Sequence, residues 1–372
     1  MQFIDLAAQQ QRIKDKIDAR IARVLEHGSY IMGPEVREFE DSLSSFSGAK
    51  HSLTCANGTD ALLLALMALK VRSGQAVLCP SFTFAATAEV IPSVGAVPVF
   101  VDCDPDTYNI DPRSLERSIA YAKSLGLKPT VVIAVDLFGL PADYDEIEEI
   151  TAAEGMKLIA DSAQGFGGVY KGRNSGTIGD FCTTSFFPAK PLGCYGDGGA
   201  IFTDDDEAAE LIKSFRVHGK GHHKYDNCRI GMNSRLDTIQ AAILCEKLGI
   251  FSDELNKRNA VAQRYSAALS NLLKTPLVPG GLKSSWAQYT VQPRLDLNRD
   301  VIIRHLKSVG VPTAVYYPLP LHLQSAYRCF PKDPEGLLVS EDVASKVFSL
   351  PMHPYLTVED QDAVISALHD CG

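Results

Sequence analysis

Residues 183–200 read Thr-Thr-Ser-Phe-Phe-Pro-Ala-Lys-Pro-Leu-Gly-Cys-Tyr-Gly-Asp-Gly-Gly-Ala and contain one lysine, Lys190. This lysine stands between two prolines, follows two phenylalanines and precedes four glycines. Prolines fix the backbone, aromatic rings exclude water, and glycines let another molecule approach the main chain closely. Because a desolvated lysine loses part of its preference for the charged form, the stretch predicts a nucleophilic amine. The alternative is a structural lysine in a tight loop between two strands.

A second chemical group stands upstream, where a short buried strand is predicted at residues 157–160 and is followed by Asp161. Open α/β sheets place ligands at the carboxyl ends of their strands, and a buried aspartate is costly unless it is paired. Pyridoxal phosphate (PLP) needs a lysine for its aldehyde and an anion against its pyridine nitrogen. Lys190 and Asp161 together predict that chemistry. The alternative for Asp161 is a helix N-cap or a turn.

Four motifs follow one another along the chain: Asp161-Ser-Ala-Gln164, Ser185-Phe-Phe-Pro-Ala-Lys190, Gly-Asp-Gly-Gly and Gly231-Met-Asn-Ser-Arg-Leu-Asp-Thr-Ile-Gln-Ala-Ala242. This ordered set resembles the DegT/DnrJ/EryC1/StrS family of nucleotide-sugar aminotransferases, which are fold-type I PLP enzymes, and the resemblance covers essentially the whole chain. It implies an α/β fold with a mostly parallel central sheet and helices on both faces. We expect a large PLP-binding domain at 1–250, with the N-terminal helices included, and a small C-terminal α/β domain at 251–372.

The cofactor phosphate has three candidate contacts. Gly58 and Thr59 stand where a predicted strand turns into a helix, and such a turn presents free backbone N–H groups to an anion. Helix capping by Thr59 or Asp60 is the alternative. The resemblance also implies that the hydroxyl of Ser185 binds the phosphate and that Gln164 donates a hydrogen bond to the phenolate oxygen of the cofactor.

Other cofactor contacts lie further apart in the sequence. An aromatic ring can stack on the pyridine face, and the resemblance matches that position to Phe84, with Phe82 as the fallback and a core role as the alternative. In resembling enzymes the asparagine that matches Asn233 reaches the cofactor phosphate of the neighbouring subunit. Asn233 therefore predicts a homodimer with shared active sites.

The substrate contacts are hypotheses drawn from the same family pattern. Tyr30 belongs to a Gly/Pro segment that lies near the sugar in resembling enzymes, and Arg235 either faces the substrate or only holds its loop. Tyr317 and His322 fall in a Tyr-Pro-Leu-Pro-Leu-His segment like one near the substrate in family members. Proline-rich packing with a structural histidine is the alternative for that segment.

The stretch 213–235 is rich in lysine, arginine and histidine and contains one acidic residue, Asp226. In a chain of net charge −9 it predicts an anionic partner such as the diphosphate of a nucleotide sugar. A solvated surface loop is the alternative. A metal site from His218, His222 and His223 is not predicted, because no cysteine or acid is placed to complete a zinc ligand set.

Composition limits the class of protein. The chain has 372 residues, 45% hydrophobic, which is ordinary for a soluble globular protein, and its negative charge argues against nucleic-acid binding. Nine cysteines without a Cys-x-x-Cys pair suit a reducing cytoplasm. Charged residues interrupt any apolar start, and no apolar run is long enough to span a bilayer. We therefore expect a cytoplasmic protein without membrane association.

The resemblance implies transfer of an amino group from L-glutamate to a keto-sugar nucleotide. It is closest to members that act on UDP-2-acetamido-2-deoxy-3-keto-glucuronate in surface-polysaccharide (O-antigen) synthesis. A dTDP-3-keto- or 4-keto-6-deoxyhexose stays open as the substrate, and so does a non-catalytic regulatory protein on the same fold. A nicotinamide-dependent oxidoreductase would need a Gly-x-Gly-x-x-Gly turn, and residues 165–168 lack its third glycine.

Overall fold

The computed structural model describes residues 1–221, 223, 225–294 and 297–371, and all structural statements refer to these. The helices are α1 (Leu6–His27), α2 (Pro34–Ser47), α3 (Gly58–Ala68), α4 (Ala86–Ser93), α5 (Pro112–Ser124), α6 (Tyr144–Ala153), α7 (Asp206–Phe215), α8 (Thr238–Leu269), α9 (Arg299–Ser308), α10 (Leu338–Lys346) and α11 (Val358–His369). The strands are β1 (His51–Cys55), β2 (Gln75–Pro80), β3 (Val97–Val101), β4 (Lys128–Val135), β5 (Lys157–Asp161), β6 (Val169–Tyr170), β7 (Arg173–Asn174), β8 (Phe181–Ser185), β9 (Gly199–Thr203), β10 (Leu273–Lys274), β11 (Leu282–Lys283), β12 (Tyr289–Pro293) and β13 (Phe348–Leu350).

The main sheet has seven strands in the order β1-β9-β8-β5-β4-β2-β3. Strand β9 runs antiparallel to both of its neighbours, and the pairings from β8 to β3 are parallel. The mostly parallel sheet predicted from the sequence is therefore confirmed. The inner strands β2, β4 and β5 consist mostly of apolar residues, as expected for strands that are buried on both faces.

Helices cover both faces of this sheet. Alternate residues of one strand enter different hydrophobic cores: Val132 and Ala134 of β4 pack in a core with α2, α5, α6 and α8, whereas Val131 and Ile133 pack in a core with α3, α4 and α7. This alternation follows from the two-residue period of a strand. The sheet therefore forms the middle layer of three.

Helix α8 is continuous although the sequence contains a glycine within it. The local pattern predicts a helix through residue 248, a break at Gly249 and a second helix over 253–273, but the structure has one helix from Thr238 to Leu269. A lone glycine within a helix costs only about 1 kcal/mol relative to alanine, and burial of Leu244 before the glycine and of Tyr265 after it offsets that cost. The expected domain boundary at 250/251 falls inside this helix, and the division into two domains stays a proposal.

The C-terminal part builds a separate small core. A three-stranded sheet β10-β12-β13 packs with α9, α11 and the end of α8 around a cluster that includes Tyr265, Tyr289 and Phe348. A second small sheet, β11-β6-β7, joins residues 282–283 to the first half of the chain. Among the described residues, no helix combines the length and the apolarity needed to cross a membrane.

The strand order brings distant parts of the sequence to one edge. Strands β5 and β8 are parallel neighbours, and β1 runs in the same direction because both β1 and β8 are antiparallel to β9. Asp161 ends β5, Ser185 ends β8, and the residues after β1 open α3. The carboxyl ends of these strands therefore gather the predicted site residues at the edge where open α/β sheets place ligands.

Candidate active site

Lys190 lies in a compact turn after β8. Its backbone N–H donates to the carbonyl of Phe187 at 2.8 Å, and the N–H of Cys194 donates to the carbonyl of Phe186 at 2.7 Å, so the turn closes on itself. Burial lowers the pKa of the Lys190 amine, while the charge of Asp161 acts in the opposite direction. A lysine with a lowered pKa is the group that the sequence predicted at this position.

Asp161 is buried, with 4% of its surface exposed. Thr87 donates its hydroxyl to Oδ2 at 2.9 Å, and the N–H of Ala163 donates to Oδ1 at 3.1 Å. Burial raises the pKa of this carboxyl, and the two hydrogen bonds and the charge of Lys190 oppose that rise. The contact with Ala163 is the turn role that the sequence left open. The contact with Thr87, from helix α4, was not anticipated.

Gly58 and Ser185 pack directly against each other. A Cβ atom added to Gly58 would lie 2.7 Å from Cβ of Ser185, closer than side chains approach, so only glycine fits here. Gly58 is the first residue of α3, and Asn57 caps that helix by accepting from the N–H of Asp60 at 2.8 Å. Asn57 therefore caps this helix, rather than Thr59 or Asp60. The helix start faces the end of β8, where an anion would meet free N–H groups.

Gln164 and Tyr317 connect this edge to the C-terminal part. The side-chain amide of Gln164 donates to the hydroxyl of Tyr317 at 3.0 Å, and its oxygen accepts from the N–H of Phe138 at 2.7 Å. Burial raises the pKa of the Tyr317 hydroxyl, and the charge of Asp161 adds to that effect. Tyr317 therefore lies close to the buried carboxylate, as expected for a residue at the site.

Phe84 and Phe82, the two candidates for the ring that stacks on the cofactor, differ in exposure. The ring of Phe84 is 55% exposed and its centroid lies 6.4 Å from that of Tyr317. Phe82 has no exposed surface and packs edge-on against Phe138 in the core. The structure therefore leaves Phe84 available to stack on a ligand and gives Phe82 the core role.

The segment of Asn233 and Arg235 lies on the surface next to the N-terminal connector. Arg235 donates to Oδ1 of Asn233 at 2.6 Å, and the carbonyl of Tyr30 accepts from the N–H of Thr238 at 3.0 Å. The hydroxyl of Ser234 accepts from the N–H of Ala56 at 3.1 Å, two residues before Gly58. Tyr30, Asn233 and Arg235 are therefore brought to one region near the start of α3.

His322 is buried, and both of its ring nitrogens have hydrogen-bond partners. Nδ1 lies 2.7 Å from the hydroxyl of Ser81, and Nε2 lies 3.1 Å from a carboxylate oxygen of Glu341. Burial lowers its pKa, and the hydrogen bond to Glu341 opposes that shift. Because neither nitrogen is left for a ligand, the structure favours the structural alternative for His322 over a substrate contact.

Part of the basic stretch 213–235 serves the fold. Arg216 is buried and donates to Glu40 at 2.5 Å and to the carbonyl of Thr54 at 2.6 Å, while Arg229 donates to the hydroxyl of Ser214 at 2.7 Å. These two arginines are therefore committed to internal contacts. His222 and Lys224, which the sequence placed in the same stretch, lie outside the described residues. Within the described part of the chain, no cluster of three or more histidine, cysteine, aspartate or glutamate side chains is arranged to hold a metal ion.

Comparison with known proteins adds four findings. The model of the DegT/DnrJ/EryC1/StrS aminotransferase family matches residues 11–369. The UDP-2-acetamido-2-deoxy-3-oxo-D-glucuronate aminotransferase of Pseudomonas aeruginosa is 49% identical over 99% of both chains. A crystal structure of a DegT DnrJ EryC1 StrS aminotransferase from Brucella abortus superposes with a TM-score of 0.98 at 51% identity, covering 100% of this chain and 99% of that one. NtdA from Bacillus subtilis with bound cofactor PMP, at 29% identity, covers 99% of this chain and 83% of its own with a TM-score of 0.88.

Proposed function

The chain belongs to the DegT/DnrJ/EryC1/StrS aminotransferase family, and from that premise we propose that it transfers an amino group from L-glutamate to UDP-2-acetamido-2-deoxy-3-keto-glucuronate. It is a PLP-dependent sugar aminotransferase. The observation that carries the chemistry is the buried carboxylate of Asp161 at the carboxyl edge of the sheet, close enough to the amine of Lys190 that each charge shifts the pKa of the other group.

The residues at this edge fit the cofactor. Gly58 is the first residue of α3 and packs directly against Ser185, so the N-terminal N–H groups of the helix and the serine hydroxyl lie together, where a phosphate could bind. Phe84 has an exposed ring face for the pyridine. Asp161 is a buried carboxylate, and a pyridinium nitrogen would form an ion pair with it. Gly58, Ser185, Phe84 and Asp161 would therefore hold the phosphate, ring face and ring nitrogen, with Thr59, Gln164 and the partner's Asn233 as further proposed contacts.

Lys190 and Asp161 have different roles in the proposed mechanism. When bound, PLP supplies the electron sink that accepts the electron pair left by a departing Cα proton. Lys190 would hold the aldehyde carbon covalently until an amino donor displaces it, and its freed amine would then accept the Cα proton of the donor. Because burial lowers the pKa of Lys190, more of this amine is unprotonated than in an exposed lysine. Asp161 would keep the proton on the ring nitrogen.

The substrate proposal depends on the 49% identity to the Pseudomonas aeruginosa enzyme over the whole chain. Tyr30, Arg235 and Tyr317 are the side chains that we propose to contact the sugar nucleotide. The test is incubation with glutamate and a panel of keto-sugar nucleotides, followed by product mass. We expect amination of the UDP-linked 3-keto-uronate and little of dTDP-3-keto- or 4-keto-6-deoxyhexoses. Preferential amination of a dTDP sugar would contradict the proposed substrate but would agree with the proposed transfer of an amino group. The proposed role is in surface-polysaccharide (O-antigen) synthesis.

We also propose a homodimer with shared active sites. Large apolar side chains are exposed on two segments that meet through the Ile31–Asp237 bridge: Ile31 is 46% exposed, and Ile230 is 89% exposed. A second copy would remove such surface from water, and Asn233 lies on the same surface. Co-expression of Lys190→Ala and Asn233→Ala chains tests the sharing. A mixed dimer should exceed both parents in activity, because one of its sites has both residues intact; activity no higher than the parents would contradict sharing.

We propose that the protein works in the cytoplasm, in keeping with its cysteines. All nine cysteines are described and all are free, which is the usual state in a reducing compartment. Five of them are buried, and burial raises the pKa of each of those five thiols. Cell fractionation with a soluble cytoplasmic marker checks the proposal, and recovery with a periplasmic marker would contradict it.

A further inference from the structure

Lys247 is a buried lysine that none of the steps above uses. It lies in the middle of α8 and has no exposed surface. Its Nζ donates to the carbonyl oxygen of Gly193 at 2.6 Å and lies 4.3 Å from the ring centroid of Tyr195. Gly193 and Tyr195 both belong to the loop that begins at Lys190, here named the Lys190 loop. Lys247 therefore connects α8 to this loop.

The contact falls at the tightest point of the loop. A Cβ atom on Gly193 would lie 2.5 Å from the carbonyl oxygen of Pro188 and 2.6 Å from that of Phe187, so the chain folds back closely on the residues before Lys190. The N–H of Cys194 then donates to Phe186 at 2.7 Å. A displacement of Gly193 would therefore be transmitted to the backbone on which Lys190 stands.

The choice of lysine at this position needs a reason. A buried ammonium group is costly, whereas an apolar chain of the same length would pack there without that cost. Burial lowers the pKa of Lys247 to about 8, and electrostatic interaction with Cys194 and Glu254 opposes that shift. Among the described residues, the hydrogen-bond acceptor of Lys247 is a neutral carbonyl oxygen rather than a carboxylate. Lys247 contacts one carbonyl oxygen and one aromatic face. These contacts fix the position of the loop but do not neutralise the charge of the lysine.

We propose that Lys247 is a positioning residue that clamps the Gly193 carbonyl and the Tyr195 ring, and thereby holds the Lys190 loop in the geometry that covalent cofactor binding requires. This inference rests on the proposed function, since it assumes that Lys190 carries PLP. Lys247 acts through Lys190 and does not itself touch the cofactor. A displacement of about 1 Å at a reacting group is enough to lower reactivity on the order of a hundredfold.

The test compares two buried cations of the same helix. Arg258 lies three turns further along α8 and donates to the carbonyl oxygens of Trp286 (3.0 Å) and Met352 (3.3 Å), away from the Lys190 loop. Arg258→Met should lower the melting temperature, because it leaves two carbonyl oxygens without their donor. Lys247→Met should change it less, because the loss of one carbonyl contact is offset by removal of a buried ammonium group. Only Lys247→Met should weaken PLP binding, by about tenfold or more, and reduce the fraction of PLP fixed to Lys190 by borohydride. Lys247→Arg, which keeps the charge and a donor, should restore part of both.

The outcomes separate this inference from the proposed function. If the unaltered chain binds no PLP, the proposed function fails. If it binds PLP and Lys247→Met binds equally well, or Arg258→Met loses as much affinity, the positioning role fails. Should Lys247→Met not fold, Tyr195→Leu removes only the ring from the ammonium group; a rise in the PLP dissociation constant without a large stability loss supports the clamp, and an unchanged constant overturns it.

Discussion

The hydroxyl of Thr87 donates a 2.9 Å hydrogen bond to Oδ2 of Asp161, while the backbone of Ala163 occupies Oδ1. Thr87 lies on α4 and Asp161 ends β5, so the helix fixes the direction of a carboxylate that burial would otherwise favour in its neutral form. The charged form of Asp161 is therefore supported by three groups: Thr87, Ala163 and Lys190.

This arrangement predicts a graded loss of activity. Asp161→Asn should reduce kcat with glutamate by roughly a hundredfold or more, because it removes the anion that holds the proton on the cofactor ring. Thr87→Val removes one hydrogen bond to a charged group, worth about 1.5–3 kcal/mol, and should reduce kcat less. Steady-state kinetics on cofactor-saturated protein measure both. A Thr87→Val variant that is slower than Asp161→Asn would contradict this role of the carboxylate.

A methyl group at Gly58 should damage cofactor binding. The Cβ of Gly58→Ala would lie 2.7 Å from Cβ of Ser185, and such overpacking costs about 1–3 kcal/mol. We expect the PLP dissociation constant to rise by roughly 5- to 150-fold, as measured by cofactor titration. Gly249→Ala is the matched control, because nothing lies within 4 Å of its added Cβ. Equal affinity in the two variants would show that the Gly58 turn does not bind the cofactor.

The buried carboxyl of Asp136 predicts a pH-dependent stability. Burial raises its pKa to about 6 despite hydrogen bonds from Ser162 and Tyr144. Because the folded pKa exceeds the unfolded value of about 3.9, this group favours folding most below about pH 4, and that contribution, roughly 3 kcal/mol, is lost as the pH rises through about 6. The difference in unfolding free energy between the unaltered chain and Asp136→Asn should therefore shrink between about pH 4 and pH 8. A constant difference in denaturant titrations would contradict the shifted pKa.

Replacement of His322 should affect stability rather than substrate binding. His322→Phe removes the imidazole from the hydroxyl of Ser81 and from the carboxylate of Glu341, at a cost of about 1–3 kcal/mol in unfolding free energy. The KM for the sugar nucleotide should stay within about twofold, since both ring nitrogens already have protein partners. A large rise in KM with unchanged stability would restore His322 as a substrate contact.

Local sequence was sufficient where a feature depends on neighbouring residues. The apolar runs of β2 to β5 are strands because both of their faces are buried, and that composition is visible in the chain. Membership of the aminotransferase family, drawn from the motifs around Asp161, Ser185 and Lys190, is confirmed by the family match over residues 11–369.

Sequence was insufficient where a feature depends on contacts between distant residues. The continuity of α8 depends on two separate cores at its two ends, which no local pattern reveals. The structural use of His322 depends on Ser81, 241 positions away, and that of Lys247 depends on Gly193, 54 positions away. Thr87 could have been noticed one helical turn after Phe84, but its carboxylate partner lies 74 positions further on.

The most direct measurement of the central claim is borohydride reduction of the PLP-loaded protein, followed by digestion and peptide mass mapping. The account predicts that the pyridoxyl group is found on the peptide that contains Lys190, and that Lys190→Ala protein takes up none. A pyridoxyl group on another lysine of the unaltered chain, or the same extent of labelling in Lys190→Ala protein, would contradict it.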